Sequence, residues 1–391
     1  MSQSGGPDRG GTFLSQDSRV RGPDPPLFRP GAGCDGRDVA DRPVGTRATH
    51  RRDPAPPTHR APAAPASAER ARPPVPRTDV TFPSSGLTLA GHLYTPDAPP
   101  AGAPAEPAPA EPAPAEPAPA EPAPAIVVGH PMTGVKEQTA GLYARRLAER
   151  GFVALAFDAA YQGASEGEPR GLEDPFQRAE DVRNAVTYLA DDPRVDAGRI
   201  GVLGICASGG YVPFAAQTDH RMRAVATVSA ADVTAFFRDA DPDGFRRMVE
   251  ESGRLRTEEA AGRPLVTVNA VPDTVDEATP APVREFFDYY RTPRAQHPRS
   301  TGHWLARSAE LLAQYDAFGG VARIAPRPLL MIAGTRALTL RFSEGAVARA
   351  GETAELFLVE DATHVDLYDR PFAVDRAVDR LTDFFAEHLA A

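Results

Sequence analysis

Short, almost wholly apolar runs recur along the chain and alternate with segments whose apolar residues recur at helical spacing. Runs of this length and composition are typical of strands buried on both faces of a sheet. A helical segment between two of them places Phe176, Ala179, Val182, Val186 and Leu189 on one face. The alternation predicts a mostly parallel central sheet with right-handed helical crossovers and helices on both faces. The runs are residues 125–129, 152–157, 199–205, 223–229 and 328–333.

Different patterns lie at the two ends of this region and inside it. Residues 79–82 and 87–94 flank a Ser-Ser-Gly turn and predict an antiparallel hairpin at a sheet edge. Residues 355–359 read as the last strand, and 371–389 as a closing amphipathic helix. A helix-forming, aromatic segment, 232–322, precedes the penultimate strand. We expect it to form a helical lid over the carboxyl ends of the strands, where open α/β sheets bind ligands.

Two proline-rich regions interrupt or precede these patterns. Residues 1–77 are Gly, Pro, Arg, Asp and Ser without periodicity, which predicts a disordered tail because so little apolar surface cannot offset the entropy of ordering. Ala-Glu-Pro-Ala-Pro occurs four times between Ala105 and Pro124. We interpret residues 100–124 as an extended surface loop within a domain spanning 78–391, since long surface insertions cost little free energy.

Candidate chemistry is concentrated where the run 199–205 meets Cys206-Ala207-Ser208-Gly209-Gly210. Small residues around a thiol predict a sharp strand-to-helix turn, because larger side chains would collide there. Such a nucleophile elbow exposes the attacking atom and directs backbone N–H groups toward it. The pattern small-x-nucleophile-x-small places Cys206 at the tip of the turn. A second frame, two residues later, would make Ser208 the nucleophile instead.

A nucleophile needs a base, and the loop after the last predicted strand supplies His364. The oxyanion hole is expected to use the N–H groups of Ala207 and, because Pro131 has none, of Met132. His130 is either a substrate contact or a structural residue that fixes its own turn. Further candidate substrate contacts, beyond these, are Tyr211 in the elbow and Trp304 in the lid.

Four segments together resemble dienelactone-hydrolase-like α/β-hydrolases, including acetyl-xylan-esterase-like and Xaa-Pro-peptidase-like relatives. The resemblance covers about residues 79–391 and implies an α/β-hydrolase fold that hydrolyses an ester, thioester or lactone. It places the nucleophile on Cys206 and the base on His364. The segments are Gly-His-Pro at 129–131, Gly-Val-Lys-Glu-Gln at 134–138, Gly-Ile-Cys-Ala-Ser-Gly-Gly at 204–210 and Thr-His-Val-Asp-Leu-Tyr at 363–368.

The third catalytic residue departs from this pattern. The resemblance implies an aspartate in the loop after Ala333, but residues 334–341 contain no carboxylate, and Leu338 stands where we expect the acid. The nearest substitutes are Asp232, after the preceding strand, and Glu344. We favour Asp232. The missing acid also motivates an alternative hypothesis, a degenerate hydrolase fold that binds a ligand or partner without turnover.

Composition narrows the remaining function classes. A net charge of −10 without a basic stripe argues against nucleic acid as a partner. With only two cysteines, Cys34 and Cys206, no disulfide framework is implied, and we expect a cytoplasmic protein that does not enter a membrane. No glycine-rich dinucleotide motif or metal-ligand spacing is present. The sequence therefore predicts a cofactor-free, metal-free hydrolase of a small acyl substrate; its oligomeric state is left open.

Overall fold

An eight-stranded, mostly parallel sheet organises the protein. The computed structural model describes residues 75–96 and 121–390. The strands follow the order β1-β2-β4-β3-β5-β6-β9-β10, with antiparallel pairing only between β1 and β2 and between β2 and β4. They are β1 (Arg77–Ser84), β2 (Leu87–Tyr94), β3 (Ala123–Gly129), β4 (Val153–Phe157), β5 (Val195–Ile205), β6 (Met222–Val228), β9 (Leu329–Gly334) and β10 (Ala354–Val359).

Helices cover both faces of this sheet, and each face has its own apolar core. One layer contains α1 (Thr139–Ala148), α9 (Asp366–Asp369) and α10 (Pro371–His388). The opposite layer contains α2 (Pro175–Ala190), α3 (Ser208–Ala216) and α8 (Leu340–Ala350). The predicted fold class is confirmed: alternating strands and amphipathic helices bury both faces of the parallel strands.

The insertion between β6 and β9 occupies the place predicted for the lid. Its helices are α4 (Val233–Ala240), α5 (Pro242–Ala260), α6 (Ala281–Tyr290) and α7 (Ala309–Leu312), with 3₁₀ turns at Ala306–Ser308 and Val321–Ile324. It also holds a small antiparallel pair, β7 (Thr267–Asn269) and β8 (His303–Leu305). The helical pattern did not predict this pair, because strands of three residues are too short to show a period.

Order begins slightly earlier than the pattern predicted. Val75 is buried, and β3 starts at Ala123, inside the segment assigned to the repeat loop. The Ala123 N–H donates to the Arg194 carbonyl over 2.8 Å, which fixes the start of β3. The rest of the tail (1–74) and of the repeat loop (100–120) lies outside the described residues, so both assignments stay predictions. Within 75–96 and 121–390, every helix is too short or too polar to span a membrane.

Candidate active site

The turn between β5 and α3 holds Cys206 in a left-handed backbone conformation, with φ of 55°. A residue with a Cβ rarely adopts this conformation unless its surroundings hold it there. The Cys206 N–H donates to the Val228 carbonyl over 3.0 Å, and its own carbonyl accepts from the N–H groups of Gly209 and Ala231 over 2.8 and 2.9 Å. These three bonds fix Cys206 at the tip of a strand-to-helix turn, where the residue is partly exposed although its thiol is surrounded by protein atoms.

Close backbone contacts explain the small residues of this turn. A Cβ at position 204 would collide with the carbonyl of Ser208, and one at 209 would lie 2.6 Å from the Cα of Ala230. A Cβ at 210 would lie 2.8 Å from the carbonyl oxygen of Ala231. The sharp turn predicted from the sequence is therefore present, and its glycines allow the backbone to approach itself.

Ser208 has a different role in the geometry of the turn. It is the first residue of α3 and is almost fully buried. Its Oγ lies 2.6 Å from the carbonyl oxygen of His130, to which it donates. Its hydroxyl therefore connects the elbow to the loop after β3 and does not project from the tip of the turn as the Cys206 thiol does.

His130 fixes the loop after β3 through both ring nitrogens. Nε2 accepts from the Ala159 N–H over 3.0 Å and from Arg178 over 2.9 Å, so Nδ1 carries the proton and donates to the Pro131 carbonyl over 2.7 Å. Burial, and then the charge of Arg178, lower the pKa of His130 well below its usual value. The ring is buried and both of its nitrogens are occupied within the protein, which leaves neither nitrogen for a substrate and is the arrangement expected of a structural residue.

The backbone N–H groups of Met132 and Ala207 lie beside the Cys206 thiol and stabilise its charged form. Burial raises the pKa of that thiol, while the Tyr368 hydroxyl, these two N–H groups and the charge of Arg178 act in the opposite direction. Two N–H groups beside a thiol are the arrangement expected of an oxyanion hole. If a substrate carbonyl carbon were bonded to the sulfur, the carbonyl oxygen would lie near both donors. The two residues are the pair expected from the sequence.

A buried ion pair joins the loop that follows β3, which carries Met132, to the loop that follows β4. Lys136 Nζ lies 2.8 Å from Asp158 Oδ2, and the Lys136 N–H donates to Asp158 Oδ1 over 2.7 Å. The Ala164 N–H donates to the same carboxylate over 2.8 Å. Both charged side chains are almost fully buried. This pair holds the segment that carries Met132 in a fixed position.

His364 lies fully buried on the loop after β10. Its Nδ1 lies 2.7 Å from Thr339 Oγ1, and its Nε2 lies 3.0 Å from the Tyr368 hydroxyl. The ring also packs against Phe286 of the lid, with 5.2 Å between ring centroids. Burial lowers the pKa of His364 to about 3, so the imidazole is neutral over the whole physiological range.

The expected carboxylate partner of His364 is replaced by a hydroxyl. Asp232 caps α4 by accepting from the Ala235 N–H over 2.9 Å, and Glu344 is exposed on α8. Among the described residues, no carboxylate hydrogen-bonds to either nitrogen of His364. The prediction that Asp232 or Glu344 serves as the carboxylate partner of His364 is therefore corrected: neither side chain hydrogen-bonds to the ring. The residue that reaches Nδ1 is Thr339, next to the Leu338 position where an acid was expected.

Tyr368, which the sequence reasoning did not select, contacts both candidate catalytic groups. Its hydroxyl lies 3.0 Å from His364 Nε2. It also lies beside the Cys206 thiol and the Tyr290 hydroxyl, and it opposes the rise that burial causes in the pKa of both. The sequence feature that could have indicated this contact is the spacing of the two residues. Tyr368 follows His364 by four residues, about one helical turn, and lies in α9.

Helix α6 of the lid packs directly on these groups. Phe286 contacts His364, and Tyr289 and Tyr290 pack edge-on against Tyr368 at 5.0 and 6.3 Å between centroids. Just beyond α6, Arg294 forms a two-pronged ion pair with Asp369, at 2.5 and 2.8 Å. The insertion is thus fastened to the loop that carries His364, as a lid over the site requires.

The two remaining substrate-contact predictions are not supported by the packing. Tyr211 is buried and donates to Glu173 Oε1 over 2.7 Å, while Arg178 lies 3.2 Å from the same oxygen. Trp304 is fully buried and stacks on Phe237 at 5.2 Å between centroids. Both side chains belong to the core behind the elbow, because large aromatic rings contribute most when fully buried.

This fold and this site define an enzyme of the α/β-hydrolase class. The family model for the dienelactone hydrolase family matches residues 113–232, from the repeat loop through the elbow to the first lid residue. Protein YcjY of Escherichia coli K12, an uncharacterized protein, is 39% identical over 271 residues, which cover 68% of this chain and 89% of that one. The chain belongs to the dienelactone hydrolase family.

Two further relatives extend the comparison. The crystal structure of the hypothetical protein PA2218 of Pseudomonas aeruginosa has a TM-score of 0.71 at 35% identity and covers 81% of this chain and 95% of its own. A thiohydrolase, AneE of Aspergillus aculeatus, is 26% identical over 215 residues, 53% of this chain and 67% of that protein. These likenesses support a hydrolase and do not favour the non-catalytic alternative. A relation to Xaa-Pro peptidases stays a prediction.

Proposed function

We propose that the protein hydrolyses an acyl ester or thioester through a covalent acyl-enzyme formed on Cys206, with His364 as the general base and acid. The observation that carries the proposal is the placement of Cys206. The thiol stands at the tip of a left-handed turn, and the N–H groups of Met132 and Ala207 are directed toward it.

The reaction divides into two halves that use the same groups. Cys206 Sγ attacks the substrate carbonyl as its proton passes to His364, and the N–H groups of Met132 and Ala207 stabilise the negative charge that develops on the carbonyl oxygen. Collapse of this intermediate expels the alcohol or thiol, which takes the proton from His364. Water, deprotonated by His364, then attacks the acyl-enzyme and releases the carboxylic acid and Cys206.

A thiol nucleophile suits a histidine without a carboxylate partner. Thiols are far more acidic than serine hydroxyls, so transfer of a proton to the imidazole costs less free energy from Cys206 than it would from a serine at the same place. The thiohydrolase among the relatives supports thioesters within the substrate class. Phe286 and Tyr290, on the lid helix above His364, support an apolar acyl group at the site.

Two model substrates test this function: p-nitrophenyl acetate and the S-acetyl thioester of N-acetylcysteamine. We expect turnover of at least one, with kcat/KM lowered about 10³-fold or more in Cys206→Ala. Ser208→Ala is the matched control, because it removes the neighbouring hydroxyl and should retain activity within about tenfold. Wild-type turnover by Cys206→Ala, or no turnover of either substrate by the wild type, would contradict the proposal.

A further inference from the structure

Tyr368 lies between the two groups that exchange a proton in the proposed reaction. Its hydroxyl is 3.0 Å from His364 Nε2 and lies beside the Cys206 thiol, whose charged form it stabilises. Among the described residues, Cys206 and His364 share no direct hydrogen bond: the ring nitrogens of His364 face Thr339 and Tyr368. The tyrosine hydroxyl is therefore placed to pass a proton from the thiol to the imidazole.

The directions of the hydrogen bonds follow from the role of His364 as a base. A base needs an unprotonated Nε2, so the ring proton sits on Nδ1 and is donated to Thr339 Oγ1. Nε2 then accepts the hydroxyl proton of Tyr368, and the Tyr368 oxygen is left to accept from the neutral Cys206 thiol. Once the thiolate has formed, the Tyr368 hydroxyl donates to it, which opposes the rise that burial causes in the pKa of Cys206. The result is a continuous chain of donors and acceptors that runs from the S–H group of Cys206 through the O–H group of Tyr368 to Nε2 of His364.

We propose that the Tyr368 hydroxyl relays the Cys206 proton to His364, and this step rests on the function proposed for those two residues. The S–H bond breaks as a new O–H bond forms on Tyr368. At the same time the original O–H bond breaks and an N–H bond forms on His364 Nε2. The products are a thiolate and an imidazolium, and Tyr368 is neutral before and after the transfer.

The surroundings of Tyr368 favour a relay over a direct transfer. The ring is fully buried, packed against Tyr289 of the lid, and its hydroxyl is held by Tyr290. It cannot leave its place between the thiol and the imidazole unless helix α6 moves as well. Burial also raises the pKa of Tyr368 well above its usual value, so a phenolate does not accumulate and the hydroxyl conducts a proton without storing charge.

The test compares Tyr368→Phe with Tyr143→Phe. Tyr143 is an equally buried neighbour whose hydroxyl donates to the Leu367 carbonyl over 2.8 Å, so its loss reports the structural cost of deleting a buried tyrosine hydroxyl here. We expect kcat/KM for p-nitrophenyl acetate to fall about 10²-fold or more in Tyr368→Phe, as for a lost acid–base group, and by less than about fivefold in Tyr143→Phe. Equal effects in the two variants, or a Tyr368→Phe enzyme as fast as the wild type, would overturn the relay.

A second measurement needs only the wild-type enzyme, so it holds even where Tyr368→Phe fails to fold. Acylation rates measured in mixtures of H₂O and D₂O should curve with the deuterium fraction, because two protons move together. A straight line would show a single proton in flight and overturn the relay. The variant Cys206→Ala distinguishes a failure of the proposed function from a failure of the relay. Activity in Cys206→Ala would overturn the proposed function. An inactive Cys206→Ala together with a straight line for the wild type would overturn only the relay.

Discussion

The hydroxyl oxygen of Thr339 lies 2.7 Å from Nδ1 of His364, where an α/β-hydrolase ordinarily places a carboxylate. A hydroxyl can hold the ring in the required orientation and tautomer. It cannot stabilise the imidazolium by opposite charge, which is the second role of a triad carboxylate. Because no negative charge at this position opposes the effect of burial, burial lowers the pKa of His364 to about 3.

Thr339→Asp should restore the missing charge. The carboxylate would raise the pKa of His364 and stabilise the imidazolium formed in acylation, so we expect kcat/KM to rise by about tenfold. This gain is far below the ~10⁴ that a triad aspartate is worth to a serine enzyme, because a thiol needs less help. Steady-state hydrolysis of p-nitrophenyl acetate measures it.

Two neighbouring variants serve as controls for that change. Leu338→Asp places a carboxylate one residue away, on a side chain that is partly exposed, and should not raise kcat/KM. Thr339→Val removes the acceptor of the Nδ1 proton and should lower both kcat/KM and stability, the latter by about 1–3 kcal/mol. Acceleration by Leu338→Asp and not by Thr339→Asp would show that the wrong residue has been assigned.

His364 should make the folded state sensitive to acid. Its pKa falls from 6.5 in the unfolded chain to about 3 in the folded one, so between these values the unfolded chain binds a proton that the folded protein does not. Its contribution to stability is present above pH 6.5 and is lost progressively toward pH 3, by up to about 1.4 kcal/mol per pH unit. Urea unfolding at several pH values measures this slope.

The variant His364→Gln isolates the contribution of that residue. His92 and His130 also have lowered pKa values and add slopes of the same sign, so the informative quantity is the difference between variant and wild type. We expect a slope shallower by about one proton in His364→Gln. His220→Gln, at an exposed position, is the control. Parallel slopes for His364→Gln and wild type would exclude a neutral, buried His364.

The ion pair between Lys136 and Asp158 should be costly to break from one side. Lys136→Met leaves a buried carboxylate without its partner, and we expect a loss of about 3–5 kcal/mol in the free energy of unfolding. Adding Asp158→Asn to that variant should recover part of the loss, because the uncompensated charge is gone. A double variant less stable than Lys136→Met by the full cost of Asp158→Asn would mean that the two side chains are uncoupled.

Gly204→Ala tests the elbow without touching a reactive group. Its Cβ would collide with the Ser208 carbonyl, so the turn must distort, and we expect both stability and kcat/KM to fall. Gly253→Ala is the matched control, since a Cβ there has nothing within 4 Å and the position lies inside helix α5. That change should stabilise the protein by about 1 kcal/mol. Thermal unfolding and ester hydrolysis together report the contrast.

How far the sequence could predict the structure depended on whether the signal was local. The elbow was predictable because the collision that demands Gly204 arises with Ser208, only four residues away, although the collision that demands Gly209 comes from Ala230, after β6. The contact between Thr339 and His364 was not predictable, because the residue type expected beside the histidine is a carboxylate and nothing in the sequence marks a threonine for that place. Asp232 was misassigned for a related reason: an acid just before a helix is as typical of an N-cap as of a catalytic group, and here it caps α4.

The same distinction applies to the lid. Its place between β6 and β9 followed from the order of the apolar runs. The contacts of Phe286 and Tyr290 with the loop carrying His364 join residues far apart in the chain, and no period in the sequence encodes them. Tyr368 lies between these cases: its four-residue distance from His364 was visible, but its hydrogen bond to Cys206 required the fold.

The acyl-enzyme itself is the most direct test of the proposed mechanism. The wild-type enzyme is mixed with the S-acetyl thioester of N-acetylcysteamine, quenched in acid within one turnover, digested and analysed by mass spectrometry. We expect an added acetyl group on the peptide that contains Cys206, located to the Cys206 sulfur by fragmentation, and none in Cys206→Ala. An acetyl group located on Ser208, or turnover with no acylated peptide at any quench time, would contradict a cysteine nucleophile.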